Sequence, residues 1–137
     1  MMYITGKFAL NLECSLDTCG DWHTSSLDWS KLTLNNSDKS IFKDYGIEEC
    51  HKVPEHDGTF YIANTLRALL DLLEQNKLWD AEGAKEDFIC NDKYTHEFFN
   101  KVIMLTHSKH WDDINEFMRK EYKMQWVKFL EDTKNVQ

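Results

Sequence analysis

The stretch Phe60-Tyr-Ile-Ala-Asn-Thr-Leu-Arg-Ala-Leu-Leu-Asp-Leu-Leu-Glu-Gln-Asn76 decides the expected fold. Its large apolar residues recur at the spacing of one helical face. They are Ile62, Leu66, Leu69, Leu70 and Leu73. Ala63 widens this stripe, and the turn signal Asp57-Gly58 just upstream makes Thr59 the predicted N-cap. The spacing therefore predicts a helix from about Phe60 to Asn76.

Further helices are predicted downstream of this stretch. Leu78 to Ala84 is expected to add a short helix, and Thr95 is expected to cap a helix that carries Phe98, Phe99, Val102, Ile103 and Leu105 inward. A last long helix is predicted from near Trp111 to Leu130. Its expected buried face comprises Ile114, Phe117, Met118, Tyr122, Trp126, Phe129 and Leu130.

Upstream of the helices the pattern changes to that of strands. From Tyr3 to Leu12 apolar residues alternate with small or polar ones, and a second alternating run extends from Leu27 to Leu34. Asn35 to Asp38 is expected to form a turn. Strands followed by helices predict an α+β protein, with a small N-terminal antiparallel sheet or hairpin packed against three or four C-terminal α-helices.

The length and composition favour one domain. A chain of 137 residues, of which 42% are hydrophobic and 13% aromatic, is long enough to bury one core and too short for two. We therefore expect a single domain over 1–137, with a β-rich part at 1–40 and an α-helical part at 59–133.

The charge balance indicates what kind of partner to expect. The net charge is −8, and Arg67 and Arg119 are the only arginines, whereas binding to nucleic acid needs clustered basic residues. The sequence contains neither the phosphate-binding loop with its Gly-Lys pair nor a Gly-x-Gly-x-x-Gly motif. The expected partner is therefore a protein with a basic surface rather than a nucleic acid.

The cellular setting is predicted from apolar runs and cysteines. The sequence has no apolar run of membrane-spanning length, and its first residues lack the pattern of a signal peptide, which predicts a cytoplasmic protein without a membrane partner. In that compartment Cys14, Cys19, Cys50 and Cys90 are expected to stay reduced. The usage of lysine, asparagine and isoleucine resembles that of low-GC bacteria and their mobile elements.

The stretch from Cys14 to Trp29 collects chemically active side chains. Cys14, Cys19 and His23 offer three zinc ligands, and the fourth would come from Cys50, His51 or His56. The spacing Cys-x4-Cys-x3-His lacks the close Cys-x2-Cys pair of common zinc sites, so ordinary buried or loop thiols are the competing interpretation. Zinc is the one cofactor that the sequence suggests.

The same stretch offers a catalytic interpretation. Asp21 is placed to orient His23 as a general base, as in enzymes that activate a nearby hydroxyl or thiol. The competing structural interpretation is that Asp21 caps a turn, that Trp22 closes the end of the sheet, and that His23 makes a local hydrogen bond. No complete motif that defines a reaction occurs, so the sequence does not establish an enzyme.

A run of acidic residues in the middle of the chain suggests an interaction surface. The run consists of Asp80, Glu82, Glu86, Asp87, Asp92 and Glu97. Such a run is typical of a solvated face, but it would also attract a basic protein, with Trp79 or Trp111 as an exposed anchor. The leading hypothesis is a protein-binding domain, such as an antitoxin, an immunity protein or an anti-defence inhibitor. The alternative is a small enzyme or ligand-binding domain centred on Asp21 and His23.

Overall fold

Helix α2, Thr65–Glu74, is the central element of the fold. The computed structural model describes residues 1–20 and 26–135. Every residue from Thr65 to Leu73 is buried, which is typical of a helix that other elements surround. The predicted apolar stripe is therefore confirmed, although the burial extends well beyond that stripe.

The chain enters α2 later than the spacing predicts. Phe60–Ala63 forms strand β4, in which Tyr61 is exposed and Ile62 is buried, as expected for opposite sides of a strand. The Asn64 side chain then accepts a hydrogen bond from the Arg67 backbone N–H at 2.9 Å. Asn64 is thus the N-cap in place of Thr59, since its side chain satisfies an amide that the helix itself leaves free.

Two antiparallel strand pairs precede α2. Strand β1, Met2–Tyr3, pairs with β2, Asn35–Asn36, and β3, Ile47–Cys50, pairs with β4 so that Ile47 lies opposite Ala63. Ile4 joins the two pairs through a parallel bridge to β4, in which the Ala63 N–H donates to the Ile4 carbonyl at 2.8 Å. Small sheets near the N-terminus and mostly C-terminal helices make this an α+β fold, as predicted.

The strand predicted from Tyr3 to Leu12 is wrong beyond Ile4. Gly6 has φ +64°, a left-handed conformation that turns the chain out of β1, and Gly6–Leu10 then forms the short helix α1. Ala9 and Leu10 are buried against the core and α1 packs on α2. A few alternating residues cannot distinguish a strand from a single helical turn of this kind.

The second predicted strand, Leu27 to Leu34, is also wrong. Trp29–Lys31 forms a 3-10 turn, capped by the Asp28 side chain, which accepts from the Ser30 N–H at 3.1 Å. The paired residues instead follow this run, in β2, where the sequence predicted a turn. The turn begins slightly later, as the 3-10 turn Ser37–Lys39.

The C-terminal part is built from short helices. In chain order they are α3 (Leu78–Ala81), a π-helical turn (Ala84–Ile89), 3-10 turn Asp92–Tyr94, α4 (Thr95–Val102), 3-10 turn Ile103–Leu105, α5 (Trp111–Tyr122) and α6 (Met124–Asn135). The predicted single helix from Trp111 to Leu130 is thus two helices, because Lys123 between them has φ +53°. Within the described ranges no helix is long and apolar enough to cross a membrane.

A buried ion pair fastens α2 to its surroundings. Arg67 is 0% exposed and Asp71 is 1% exposed, and Arg67 Nε donates to Asp71 Oδ1 at 2.8 Å. Arg67 Nη1 donates to the carbonyls of Lys43 and Tyr45, both at 2.6 Å, and the Tyr3 hydroxyl donates to Asp71 Oδ2 at 2.5 Å. Because both charges are hydrogen-bonded, their burial is tolerated, and they link β1 to the segment before β3.

The expectation that all four cysteines stay reduced does not hold in the structure. Cys19 and Cys90 form a disulfide, with their Cα atoms 5.9 Å apart, whereas Cys14 and Cys50 are free. The fold brings together two residues separated by 71 positions, and their Cα distance lies within the range that a disulfide requires. The expectation rested on compartment alone and contained no information about this proximity.

Candidate functional site

A groove with a volume of about 670 Å³ lies between α4 and α6. This volume lies within the range of roughly 300–1,000 Å³ that is common for ligand pockets. The lining residues recur at intervals of three and four on each side, so each side presents one continuous helical face. One side contributes Asp92, Thr95, His96, Phe99 and Asn100, and the other contributes Gln125, Lys128, Phe129, Asp132 and Thr133.

The floor of the groove is aromatic and firmly held. Phe99 is only 3% exposed, and its ring centroid lies 5.3 Å from that of the half-buried Phe129. Phe129 stacks on the buried Trp126 at 5.6 Å, and the Trp126 indole N–H donates to Asn115 Oδ1 at 2.8 Å. The two phenylalanines therefore rest on packed side chains.

The rim of the groove is polar and available for binding. Asn100, Gln125, Lys128 and Asp132 are exposed, and their side chains form no hydrogen bond or ion pair with any residue that the structure describes. Together with Asp92, the lining holds two carboxylates against one ammonium group, so the groove is slightly acidic. An apolar floor between unpaired polar groups is the arrangement expected of a binding surface.

Trp79 is a second notable surface feature. In α3 the side chains of Leu78 and Ala81 face the core, which leaves Trp79 on the outside with 82% of its surface exposed. Its indole borders a small cavity of about 160 Å³ that Lys7, Leu10, Asn11, Asp80 and Phe88 also line. The sequence-based expectation of an exposed tryptophan is met at Trp79.

Trp111 does not share this exposure. It is half-buried, packs against the hydrophobic core, and has its ring centroid 6.3 Å from that of Trp126. Of the two tryptophans predicted as alternative anchors, Trp111 is thus the less exposed, because the start of α5 lies against the aromatic cluster beneath the groove. Its role as an anchor stays a prediction.

The predicted acidic residues are divided among several places. Asp80 borders the cavity beside Trp79, while Asp92 lies in the wall of the α4–α6 groove. Glu86 forms a surface ion pair with Lys85 at 3.6 Å, and Glu97 accepts a hydrogen bond from the Tyr45 hydroxyl. Glu82 and Asp87 are exposed. The run thus contributes carboxylates to both candidate binding features.

The buried hydroxyl of Tyr122 lies near several of these carboxylates. Burial raises the pKa of Tyr122 well above its ordinary value, and the negative charges of Glu121, Asp92 and Glu86 raise it further. Glu121 also accepts a hydrogen bond from the Gly83 N–H at 2.8 Å. The phenol therefore stays protonated at neutral pH and contributes no charge to the surface.

Asp21 and His23, which carry both the catalytic and the ligand-binding interpretation, lie outside the described residues 1–20 and 26–135. The interpretation as a small enzyme or ligand-binding domain therefore stays a prediction. The flanking loop is anchored by Ser15, whose N–H and hydroxyl donate to the Glu48 carboxylate at 2.7 and 2.6 Å.

The predicted zinc ligands do not present three free donors in the described ranges. The Cys14 thiol is half-buried and lies 3.6 Å from the Thr65 hydroxyl oxygen, whereas the Cys19 sulfur is engaged in the disulfide. Of the proposed fourth ligands, His51 bonds to Thr59 and His56 to the Trp29 carbonyl, both at 2.8 Å. Among the described residues, no group of three or more His, Cys, Asp or Glu side chains is arranged to hold a metal ion.

The groove was not predicted from the sequence, although the sequence did predict where the two phenylalanines of its floor would lie. Phe99 and Phe129 both belong to the predicted inward faces of their helices. The polar residues next to them in the groove gave no indication that α4 and α6 are separated by a groove.

Comparison of the chain with protein-family models, curated proteins and solved structures finds no match. The site must therefore be interpreted from its geometry and charge.

Proposed function

We propose that this chain is a protein-binding domain that covers a basic site on a partner protein. The observation that carries the proposal is the 82% exposure of Trp79 on the short helix α3. Tryptophan is enriched among interface residues whose truncation costs about 2 kcal/mol or more. An indole held in water by the local helix geometry, beside a small cavity, is suited to be buried by a partner.

The charge of the molecule supports a basic partner. The whole chain carries a net charge of −8, and Asp80 and Glu82 lie one and three positions after Trp79. A basic surface would be attracted over a distance and would then bury the indole among carboxylates that complement it. Enzymes that act on nucleic acids have such surfaces. Within this proposal the chain acts in the cytoplasm as an antitoxin, an immunity protein or an anti-defence inhibitor.

The proposal is tested by comparing Trp79→Ser with Ile41→Ser, a matched change at another exposed apolar side chain. Each purified protein is immobilised, and proteins retained from a host extract are identified and then produced separately for calorimetric titration. We expect Trp79→Ser to weaken binding of the retained partner by about thirtyfold. Ile41→Ser should leave the affinity within about twofold of the wild type.

Salt dependence provides the second arm of this test. Attraction between an acidic surface and a basic one is screened as the ionic strength rises, so the association rate should fall steeply between low and physiological salt. A partner that binds Trp79→Ser as tightly as the wild type, or whose association rate does not respond to salt, would contradict the proposal.

A further inference from the structure

We propose that the groove between α4 and α6 binds a basic amphipathic α-helix. This inference rests on the proposed function, because it assigns a second surface to the same class of partner and specifies the partner's secondary structure. It depends on the groove alone and makes no use of Trp79.

The floor of the groove favours an apolar side chain from the occupant. Phe99 and Phe129 present aromatic surface between polar rims, and Trp126 supports Phe129 from beneath. An aliphatic or aromatic residue of a partner that packs over the two rings would remove their remaining exposed surface from water. Burial of such a side chain is favourable by about 1.5–3 kcal/mol.

The helical walls of the groove favour an α-helical occupant over an extended peptide. Both walls are mainly α-helical, and the backbone N–H and C=O groups in the middle of a helix are already bonded within it. An extended peptide would therefore lose water from its own amides without gaining main-chain partners. A helix satisfies its backbone internally, so it can fill the groove through side chains alone.

The rim specifies the charge of the occupant. The lining contains two carboxylates, Asp92 and Asp132, and one ammonium group, Lys128, and the molecule as a whole carries a charge of −8. Lysine or arginine residues on the flanks of the partner helix would meet the two carboxylates. The unpaired amides of Asn100 and Gln125 can bond to neutral polar side chains on either flank.

The dimensions of the groove give the length of the contact. On α6 the lining extends from Gln125 to Thr133, which corresponds to roughly 12 Å at 1.5 Å per residue. This distance accommodates about two helical turns. The partner should therefore present apolar anchors at positions i, i+3 or i+4, and i+7, as in other helix-in-groove complexes.

The inference is tested with synthetic peptides and the full-length chain. Three peptides of about 15 residues are used: an amphipathic leucine–lysine helix, the same helix with glutamate in place of lysine, and a leucine–lysine peptide with its apolar face dispersed. Binding is followed by backbone amide shifts of the isotope-labelled protein. We expect the first peptide to bind at least about tenfold tighter than the other two, and its shifts to concentrate in 95–100 and 125–133.

Charge reversal and steric filling of the rim provide the variants. Asp132→Lys and Asn100→Arg should each weaken the binding of the leucine–lysine peptide about tenfold. The first removes an attractive charge, and both place a cation in the groove. Glu116→Lys, an exposed change on α5 outside the groove, should alter the affinity by less than about twofold once allowance is made for its global charge. All three positions are exposed, and thermal melting confirms that each variant folds.

Several results would overturn this inference and leave the proposed function intact. One is equal binding of the lysine and glutamate peptides, and another is a set of shifts outside both helices. A third is dimerisation of the free chain that Asn100→Arg abolishes, which would make the groove a self-association surface. Conversely, the groove variants could fail to bind the leucine–lysine peptide while no partner binds more weakly to Trp79→Ser. In that case the groove assignment stands and the proposed function fails.

Discussion

Two buried tyrosines differ in what their hydroxyl groups contact. The Tyr3 hydroxyl donates to Asp71 at 2.5 Å and accepts from Arg67 Nη2 at 2.9 Å. The Tyr122 hydroxyl is fully buried, with the residue 2% exposed, and it has no hydrogen-bond partner among the residues that the structure describes. Burial of a polar group without a partner costs free energy, so the same substitution should have opposite effects at the two positions.

We predict that Tyr122→Phe raises the free energy of unfolding by about 1 kcal/mol, because it removes an unsatisfied buried hydroxyl and keeps the ring. Tyr3→Phe should lower it by about 2 kcal/mol, because Arg67 and Asp71 each lose a partner in a buried site. Urea denaturation of the two variants measures both values. A loss of stability in Tyr122→Phe would show that its hydroxyl has a partner after all.

The same tyrosines predict a loss of stability at alkaline pH. Burial raises the pKa of Tyr3 and of Tyr122 above their ordinary value of 10, and a hydrogen bond to Asp71 contributes to the rise at Tyr3. Above pH 10 the unfolded chain releases phenol protons that the folded chain keeps, so the unfolded state is favoured. Below that pH both states are protonated, and the contribution is constant.

Urea midpoints measured from pH 9 to pH 11 test this linkage. Once the pH exceeds 10, each such tyrosine should reduce the free energy of unfolding by about 1.4 kcal/mol per pH unit. Tyr122→Phe should therefore show a shallower decline than the wild type. Identical slopes for the two proteins would contradict the assignment of a raised pKa to Tyr122.

At the scale of elements, the junction between α5 and α6 depends on one strained residue. Lys123 adopts φ +53° and ψ −127°, a backbone conformation that glycine adopts readily and other residues rarely do. The strain separates two helices that the apolar spacing alone would join. The junction is retained because Tyr122 and Trp126 on either side of it are both buried in the core.

Replacement of Lys123 by glycine should therefore stabilise the protein by about 1 kcal/mol, since the backbone strain is removed. Lys120→Gly is the matched control, because Lys120 is an exposed lysine inside α5, where glycine costs about 1 kcal/mol relative to a good helix former. Thermal denaturation should show opposite shifts of the two melting temperatures. A lower melting temperature for Lys123→Gly would mean that the lysine side chain contributes more than its backbone conformation costs.

The elements that sequence predicts well are those with long periodic patterns. The core helix α2 and helix α4 were anticipated because several apolar residues repeat at helical spacing in each. The first strand pair could not be anticipated, since β1 and β2 contain only two residues each and are held by long-range pairing. Likewise, nothing in the spacing of 111–130 reveals a left-handed residue at Lys123.

At the scale of the whole molecule, single residues were easier to predict than the spaces between elements. Trp79 was named as an exposed aromatic beside the acidic run, and it is exposed. The α4–α6 groove was not expected, since it depends on how two helices far apart in sequence are placed. The pairing of Cys19 with Cys90 was missed for the same reason, because tertiary structure and not local spacing brings the two residues together.

That disulfide joins the N-terminal loop to the helical part across about half of the chain. Near it the Gly20 N–H donates to the Phe88 carbonyl at 3.0 Å, and the Asp17 N–H donates to the Tyr94 hydroxyl at 2.8 Å. Asp17 also accepts hydrogen bonds from the Asn91 side chain at 3.2 Å and from Lys93 Nζ at 3.4 Å. The contacts of Asp17 are exposed and contribute little each, so the covalent link is expected to supply much of the attachment. A cross-link over 71 positions restricts the unfolded chain and should stabilise the fold by about 4 kcal/mol.

We therefore predict that the double variant Cys19→Ser/Cys90→Ser unfolds at a lower urea concentration than the oxidised wild type, with a loss of about 4 kcal/mol. A dithiol reductant should lower the stability of the wild type to the same level and leave the double variant unchanged, whereas Cys14→Ser/Cys50→Ser should respond to the reductant as the wild type does. Thiol titration of oxidised, denatured wild type should find two free thiols, those of Cys14 and Cys50. Four free thiols in protein purified without reductant would disprove the link. Because a cytoplasmic setting favours the reduced pair, the measured difference is also the stabilisation that the fold would lack in the proposed location.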